Sequence, residues 1–387
     1  MSVFGIVCET NPIHNGHKHL IDTAIEKGAS AVVCVMSGNT VQRGEFAIAD
    51  KYVRAEALLK CGADLVLELP YPWSAASAEY FASAAISVLR EFCDKVIFGS
   101  ECGDINILSR AAEFAADPSF KEEYNLLLSE GEPAAGAYFD MLEKRTGTKL
   151  NSNDLLGVEY IKAARSLSVD MKFSTIKRLG DDYTSTQVSD TVYPSAMSIR
   201  KLWQDNKTEN MEEYMPYDAI DVYKNAIYNN CIISSSRLDI ALLMFFRTHN
   251  GTDLESIAGA SGGLGNRICE MAHKARSSEE LLDLVKTKRY TDSSIKRTIL
   301  YCLSGVEKQH IEALPKETLV LSANKKGRAL LSQKRNKCGI RVVTKPADLD
   351  DSLPQNILSN RIDTIYTLLR EDILPSDTYM KKGPFIH

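Results

Sequence analysis

A chain of 387 residues is longer than one ordinary domain and suggests two or three. Its 44% hydrophobic and 25% charged residues are those of a soluble globular protein, and no run approaches the roughly eighteen apolar residues of a membrane span. The net charge of −5 hides an uneven distribution: residues 286–345 carry fifteen Lys/Arg against four Asp/Glu, a local +11, which leaves −16 for the rest. A basic C-terminal region joined to an acidic half is what a nucleic-acid substrate favours. Met1-Ser2-Val3-Phe4 enters an apolar run directly, without the basic stretch or cleavage site of a secretory signal. Nine cysteines occur singly with no C-x-x-C, which argues for reduced core thiols in a cytoplasmic protein and against a zinc cluster.

Along the first hundred residues, Val3–Cys8, Ala31–Met36, Asp64–Leu69 and Lys95–Phe98 predict strands. Helical patterns at Lys18–Lys27, Ala49–Cys61 and Ser77–Glu91 lie between them, and such alternation predicts parallel βαβ units. Ligands in these sheets bind beyond the carboxyl ends of the strands, at the switch point. Three polar segments fall at such ends: Thr10–His17, Ser37-Gly38-Asn39 and Gly99-Ser100-Glu101. Residues 104–147 read as helical, Asn153–Ser166 as a further helix and Met171–Arg178 as a fifth strand. After the polar stretch Gly180–Thr191, Tyr193-Pro194-Ser195-Ala196-Met197-Ser198-Ile199-Arg200 opens a helix, with Ser195 as N-cap and Arg200 about one turn inside. From Tyr217 the pattern is helical up to Leu303. Thr318–Ala323, Lys325–Lys334 and Arg341–Lys345 then predict a small strand–helix–strand unit, and Gln355–Leu369 a last helix. The expected fold is therefore α/β: a Rossmann-like parallel-sheet domain at 1–220, then a mainly helical, basic domain at 221–387 that carries the small α/β unit.

The chemistry concentrates in Glu9-Thr10-Asn11-Pro12-Ile13-His14-Asn15-Gly16-His17, where two histidines flank Asn-Gly at a strand-to-helix turn. Glycine lets the backbone approach a ligand, helix N-terminal amides attract anions, and imidazoles donate hydrogen bonds to phosphate oxygens. In this position the segment resembles the motif of the HxGH nucleotidyltransferase superfamily, which activates substrates by adenylylation with ATP. The resemblance makes His14, His17 and Arg200 the expected catalytic donors, Arg200 standing where the superfamily's second motif has its phosphate-binding arginine. ATP is expected along Val7, Cys8, Glu9, Thr10, Asn11, Pro12, Ile13, Asn15, Gly16, Lys18, His19 and Leu20, with Ser195 and Ser198 at the second motif and magnesium carried on the nucleotide.

Further segments narrow the resemblance. Met36-Ser37-Gly38-Asn39-Thr40-Val41-Gln42-Arg43-Gly44-Glu45 with Lys51 and Arg54, Ala63-Asp64-Leu65-Val66-Leu67-Glu68-Leu69-Pro70, Val96-Ile97-Phe98-Gly99-Ser100-Glu101, Asn153-Asp154-Leu155-Leu156-Gly157, Lys177-Arg178 and Lys286-Thr287-Lys288-Arg289-Tyr290-Thr291 are similar, in order and spacing, to the tRNA(Met) cytidine acetate ligase family. Thr10 and Ile13 depart from it where aromatics are common, as does Phe46 where proline is. The resemblance implies a two-step reaction in which ATP and acetate give acetyl-adenylate, and the acetyl group passes to the wobble cytidine of elongator tRNA(Met). It also implies ATP contacts at Gly99 and Arg178. Asn153 is open between a nucleotide contact and a helix cap.

The candidate RNA surface is Lys286, Lys288, Arg289, Lys296 and Arg297, continued by Lys325, Lys326, Arg328, Lys334, Arg335 and Lys337. Tyr290 and Tyr301 are placed to stack on single-stranded bases or to sit in the core. Arg43, Lys51 and Arg54 come after the second strand and would meet phosphate, the anticodon or solvent. Two other readings stay open: an adenylyltransferase acting on a small metabolite, and an RNA-binding protein that keeps a nucleotide pocket without catalysis.

Overall fold

The computed structural model describes residues 2–130, 134–178, 199–200, 212–287, 290–334 and 337–387. The chain begins with β1 (Ser2–Cys8), α1 (Asn15–Glu26) and β2 (Ala29–Ser37), followed by a short hairpin of β3 (Thr40–Val41) and β4 (Glu45–Phe46). Then come α2 (Lys51–Lys60), β5 (Leu65–Leu69), α3 (Ala78–Leu89) and β6 (Lys95–Ser100). A helical excursion of α4 (Ile105–Ala116), α5 (Pro118–Ser129), α6 (Ala134–Thr146) and α7 (Ser152–Ser166) leads to β7 (Lys172–Lys177). The five main strands pair in parallel in the order β5-β2-β1-β6-β7. β2 and β5 sit inside the sheet with helices on both faces, and so read as mainly apolar runs, interrupted in β5 by Glu68. The strand order reverses at β1, so the crevice between the carboxyl ends of β1 and β6 is the switch point.

The C-terminal region is arranged differently from the expected 221–387 domain. Helices Ser235–Thr248, Leu264–Ala272, Ser278–Val285 and Asp292–Ser304 share an apolar core of their own around Phe246, Ile268, Leu281 and Ile295. The chain then returns to the sheet. β8 (Glu317–Ala323) pairs antiparallel with β5, and β9 (Arg341–Val343) and β10 (Phe385–Ile386) both pair parallel with β8. The expected small α/β unit is thus an extension of the same sheet: every residue of β8 is buried, and β5 supplies the edge that completes its hydrogen bonding. A division at 220/221 falls inside the helix Tyr217–Tyr228, whose Tyr223 is itself buried against the loop after β1. Because β8 runs against β5, the basic helix Lys325–Lys334 starts beside Asp64 and Leu65, at the amino ends of the parallel strands. The basic run is continuous in sequence and divided in space.

Charged groups stitch this return to the loops at the carboxyl ends of the strands. Lys51, with its side chain only 4% exposed, lies 2.9 Å from Glu68 and 2.7 Å from Asp363 of the helix Pro354–Leu369. Asn39 donates to Asp363 (2.8 Å) and accepts from the Lys51 backbone amide (2.8 Å). Burial works against the ammonium, yet Asp363 and Glu68 hold its pKa above the ordinary lysine value. Asp50 caps α2 through Tyr52 and Val53 and pairs with Arg370 at 3.0 Å. Lys51→Met would leave two adjacent carboxylates without their cation. Urea unfolding at neutral pH should then find a loss of about 3–5 kcal/mol, and an unchanged midpoint would rule out a supporting role for this triad.

Candidate active site

The loop after β1 is held by buried contacts before any ligand arrives. Thr10 is fully buried with φ +46°, a left-handed conformation rare for a β-branched residue, and its hydroxyl donates to Met36 Sδ (3.1 Å). Asn11 accepts from the Ile48 amide at 2.8 Å, and the Ile13 amide donates to the Tyr223 hydroxyl at 3.2 Å. Behind the loop lies Arg54, at zero exposure. Its guanidinium donates to the carbonyls of Glu9 (2.8 Å), Ser37 (3.1 Å), Ala49 (2.9 Å) and Gly38. Arg54 is therefore the fastening of two strand-end loops, and is withdrawn from both RNA and solvent.

The two histidines form a capping box at the start of α1. His14 Nδ1 accepts from the Gly16 amide (3.1 Å), and His17 Nδ1 accepts from the His14 amide (3.2 Å). A ring that accepts at Nδ1 carries its proton on Nε2, so both imidazoles present an Nε2–H donor. Burial, then the neighbouring His17 and Arg178, push the His14 pKa well below its usual value. Burial and Arg178 bring that of His17 down to about 3. Both rings are therefore neutral at physiological pH, with centroids 3.9 Å apart. Glycine is needed at position 16, since a Cβ there would lie 2.9 Å from His14 Cε1.

These rings face a cavity of about 550 Å³ at the switch point. Val7, Cys8, Glu9, Thr10, Asn11, Gly16, His19 and Leu20 line it from the first βα unit. Across the crevice stand Gly99, Asn153 and Arg178. A Cβ on Gly99 would meet Arg178 Cγ at 3.2 Å, so glycine makes room for the arginine. Glu101 accepts from Asn153 (2.6 Å) and from the Asp154 amide (3.1 Å) and lies 4.0 Å from Arg178. Asn153 is not the cap of α7; that position belongs to Asn151. Arg200 donates to the Asn11 carbonyl at 2.7 Å and lies 3.5 Å from Glu45, which also holds Lys296 at 2.5 Å. Despite its burial, Glu45 is kept below the ordinary carboxylate range by Lys296 and Arg200.

The remaining expected residues are elsewhere. Pro12 and Ile13 are buried beneath the loop. Asn15 bonds the backbone of Glu213 and Tyr214, and Lys18 pairs with Asp22. Lys51 is sealed in its ion triad, which corrects its expected place on an RNA surface: two buried carboxylates outcompete solvent for its charge. Lys286 is exposed, 2.8 Å from Asp292, and Arg43 and Arg297 line the cavity. Tyr301 is a core residue, bonded to the Ala75 carbonyl, rather than a stacking platform. Ser195, Ser198, Lys288 and Arg289 lie outside the described residues. Three groups were not foreseen. Glu45 and Glu101 sit in motif segments but bear no local sign of their ion-pair roles. The start of the helix Asp292–Ser304 brings Ser293, with Thr291 before it, into the wall.

The neutral histidines have two measurable consequences. Removing one donor by His14→Ala or His17→Ala should slow ATP–pyrophosphate exchange by roughly 100–1000-fold, about 3–4 kcal/mol, and near-normal exchange would exclude the site. Because the folded pKa of His17, about 3, lies below an unfolded value of about 6.5, its contribution to stability is complete above about pH 6.5 and is lost as the pH falls toward 3. Between pH 6.5 and 4, urea midpoints should fall more steeply for the wild type than for His17→Gln, and parallel curves would contradict the neutral ring.

Comparison with known proteins gives a consistent result. The HIGH Nucleotidyl Transferase family matches residues 1–380. The tRNA(Met) cytidine acetate ligase of Acetivibrio thermocellus is 33% identical over 402 residues, covering 98% of this chain and 95% of that protein. The enzyme of that name from Clostridium perfringens strain SM101 is 33% identical, with 98% of each chain covered. Thermotoga maritima TmcAL, in a crystal structure bound with alpha-thio ATP, superposes with a TM-score of 0.87 at 30% identity over the whole of both chains. Its apo form gives 0.89, covering 100% of this chain and 99% of that one. With the parallel sheet, the histidine turn and the switch-point cavity in place, the chain belongs to the HIGH nucleotidyltransferases and, within them, to the tRNA(Met) cytidine acetate ligase family.

Proposed function

We propose that this protein is an ATP-dependent ligase that acetylates the wobble cytidine of elongator tRNA(Met), with acetate as acyl donor and acetyl-adenylate as intermediate. The observation that carries this reading is the shared cavity, in which the two-histidine turn faces the first turn of a helix from the basic helical region. An acetate oxygen attacks the α-phosphorus of ATP, the bond to the β-phosphate breaks, and pyrophosphate departs. N4 of the cytidine then attacks the acetyl carbonyl carbon, AMP leaves, and the amine gives up a proton. The first step calls mainly for positioning and for donors aimed at phosphate oxygens. His14 and His17 would supply neutral Nε2–H groups, α1 its N-terminal amides, and Arg200 a fixed positive charge.

The same reading gives the other residues their parts. Gly99, Asn153 and Arg178 would border the adenosine, with the strand end kept low so that the nucleoside can approach. Arg43, Lys286, Lys296 and Arg297, together with Lys288 and Arg289, would meet the RNA backbone. The helix Lys325–Lys334 starts at the amino ends of the parallel strands, the end of the sheet away from the cavity. Magnesium would arrive on the ATP phosphates and neutralise their charge there. Among the described residues, no group of three or more His, Cys, Asp or Glu is placed to hold a metal by itself. Nine cysteines outside any disulfide support a cytoplasmic setting, and no helix among the described residues is long and apolar enough to cross a membrane.

Incubation with ATP, labelled acetate and total tRNA, followed by nucleoside analysis, should yield labelled N4-acetylcytidine. AMP transfer to a metabolite, or RNA binding without turnover, would reject the proposal. With the wobble cytidine replaced by uridine, acetate-dependent pyrophosphate exchange should persist while transfer stops, because uridine offers no exocyclic amine.

A further inference from the structure

A second cavity of about 400 Å³ adjoins the nucleotide cleft and shares Ser77 and Arg297 with it as lining residues. Its other walls come from Tyr80 of α3, from Glu255, Ser256 and Ser261 in the helical region, and from Lys308. None of the residues assigned above to ATP, or to the return of the chain to the sheet, lines this space.

Arg297 stands in the wall between the two cavities. Other arginines of this region are engaged: Arg54 by four carbonyls, Arg200 by Asn11 and Glu45, Arg267 by the carbonyls of Leu284 and Val285. Arg297 has no hydrogen bond or ion pair among the described residues, although burial lowers its pKa. Arg297 is only partly exposed, and holding a guanidinium there without a protein partner costs free energy that an incoming anion would recover. Its position is also fixed. Gly44 (φ +80°) lets the β3–β4 hairpin close onto the backbone of Lys296 and Arg297, where a Cβ would come within 2.7 Å of the Lys296 carbonyl carbon. The helix and its arginine are thereby pinned against the nucleotide side.

We propose that the second cavity receives the nucleotide next to the acceptor cytidine in a single-stranded RNA loop, and that Arg297 binds the phosphodiester joining the two. This inference rests on the proposed ligase function. An acceptor base must leave its stack to reach the activated acyl group, and its neighbour then remains one phosphate away. Two cavities meeting at a single cation reproduce that connectivity. Within the second one, the half-exposed Tyr80 offers a ring face for stacking, Glu255 an acceptor for an exocyclic amine, and Ser256 and Ser261 hydroxyls for a base edge.

The test uses the full-length protein and an anticodon stem-loop RNA, after wild-type transfer to that RNA has been established. Absence of wild-type transfer would count against the ligase function itself, and is thus separable from the behaviour of the variants. Ser256→Trp fills the second cavity from an exposed position. It should raise the KM for RNA at least tenfold and leave acetate-dependent pyrophosphate exchange as it was. Arg297→Gln should weaken RNA binding by at least tenfold and reduce the log–log salt slope by about one. A wild-type KM for RNA in Ser256→Trp would overturn the proposal. So would Arg297→Gln with an unchanged salt slope, or with a KM for acetate in the exchange reaction raised as much as that for RNA, since the arginine would then serve the carboxylate substrate.

Discussion

The buried guanidinium of Arg54 is the interaction on which the site depends. It draws the carbonyls of Glu9, Ser37, Gly38 and Ala49 around one cation, and so ties the loop after β1, the loop after β2 and the approach to α2 into one body. Hydrogen bonds to a charged group are worth roughly 1.5–3 kcal/mol each, and a buried charge is tolerated only when its donors are satisfied. Once the Glu9 carbonyl is held, the next residues have little choice. Thr10 turns left-handed, Ile13 is buried, and His14 arrives at the N-cap of α1 with its ring over the cavity.

In the proposed function, the histidine pair would meet phosphate without placing two positive charges side by side. Each ring takes a backbone amide proton at Nδ1, so each is fixed in orientation and tautomer, and burial keeps both neutral. Fixed charge enters the cavity from the periphery. Arg178 lies across Gly99 near Glu101, and Arg200 is braced by Asn11 and Glu45. Dividing neutral, oriented donors from anchored cations allows a compact anion site to be preorganised while its ligand is absent.

Assembly of the cavity also requires the C-terminal region. Glu45 lies between Arg200 and Lys296, so the β3–β4 hairpin connects the nucleotide loop to the helix Asp292–Ser304. A second connection, from Lys51 and Asn39 to Asp363, joins the end of β2 to the helix Pro354–Leu369. The parallel sheet and the helical region are therefore joined by ion pairs and hydrogen bonds at two places.

The sequence by itself determines the local elements and the place of the chemistry. Four of the five parallel strands are legible because each is a short apolar run between amphipathic stretches, while the fifth, Lys172–Lys177, carries only Phe173 and Ile176 as apolar residues. The turn from Glu9 to His17 is legible because its chemistry is local: a strand end, a glycine and two histidines. The partner of each charge is not legible. Lys51 and Arg54 look like surface cations beside a polar loop, and are buried because Glu68, Asp363 and four carbonyls close over them. The basic run from Lys286 to Lys337 looks like one surface, and is split because β8 pairs antiparallel with β5 and starts its following helix at the amino ends of the parallel strands. Hydrophobic periodicity is a property of neighbouring residues. Which strand edge is free to pair, and which carboxylate reaches a given lysine, depends on contacts between residues that are not neighbours in sequence, up to 312 positions apart for Lys51 and Asp363, and only the tertiary structure decides them.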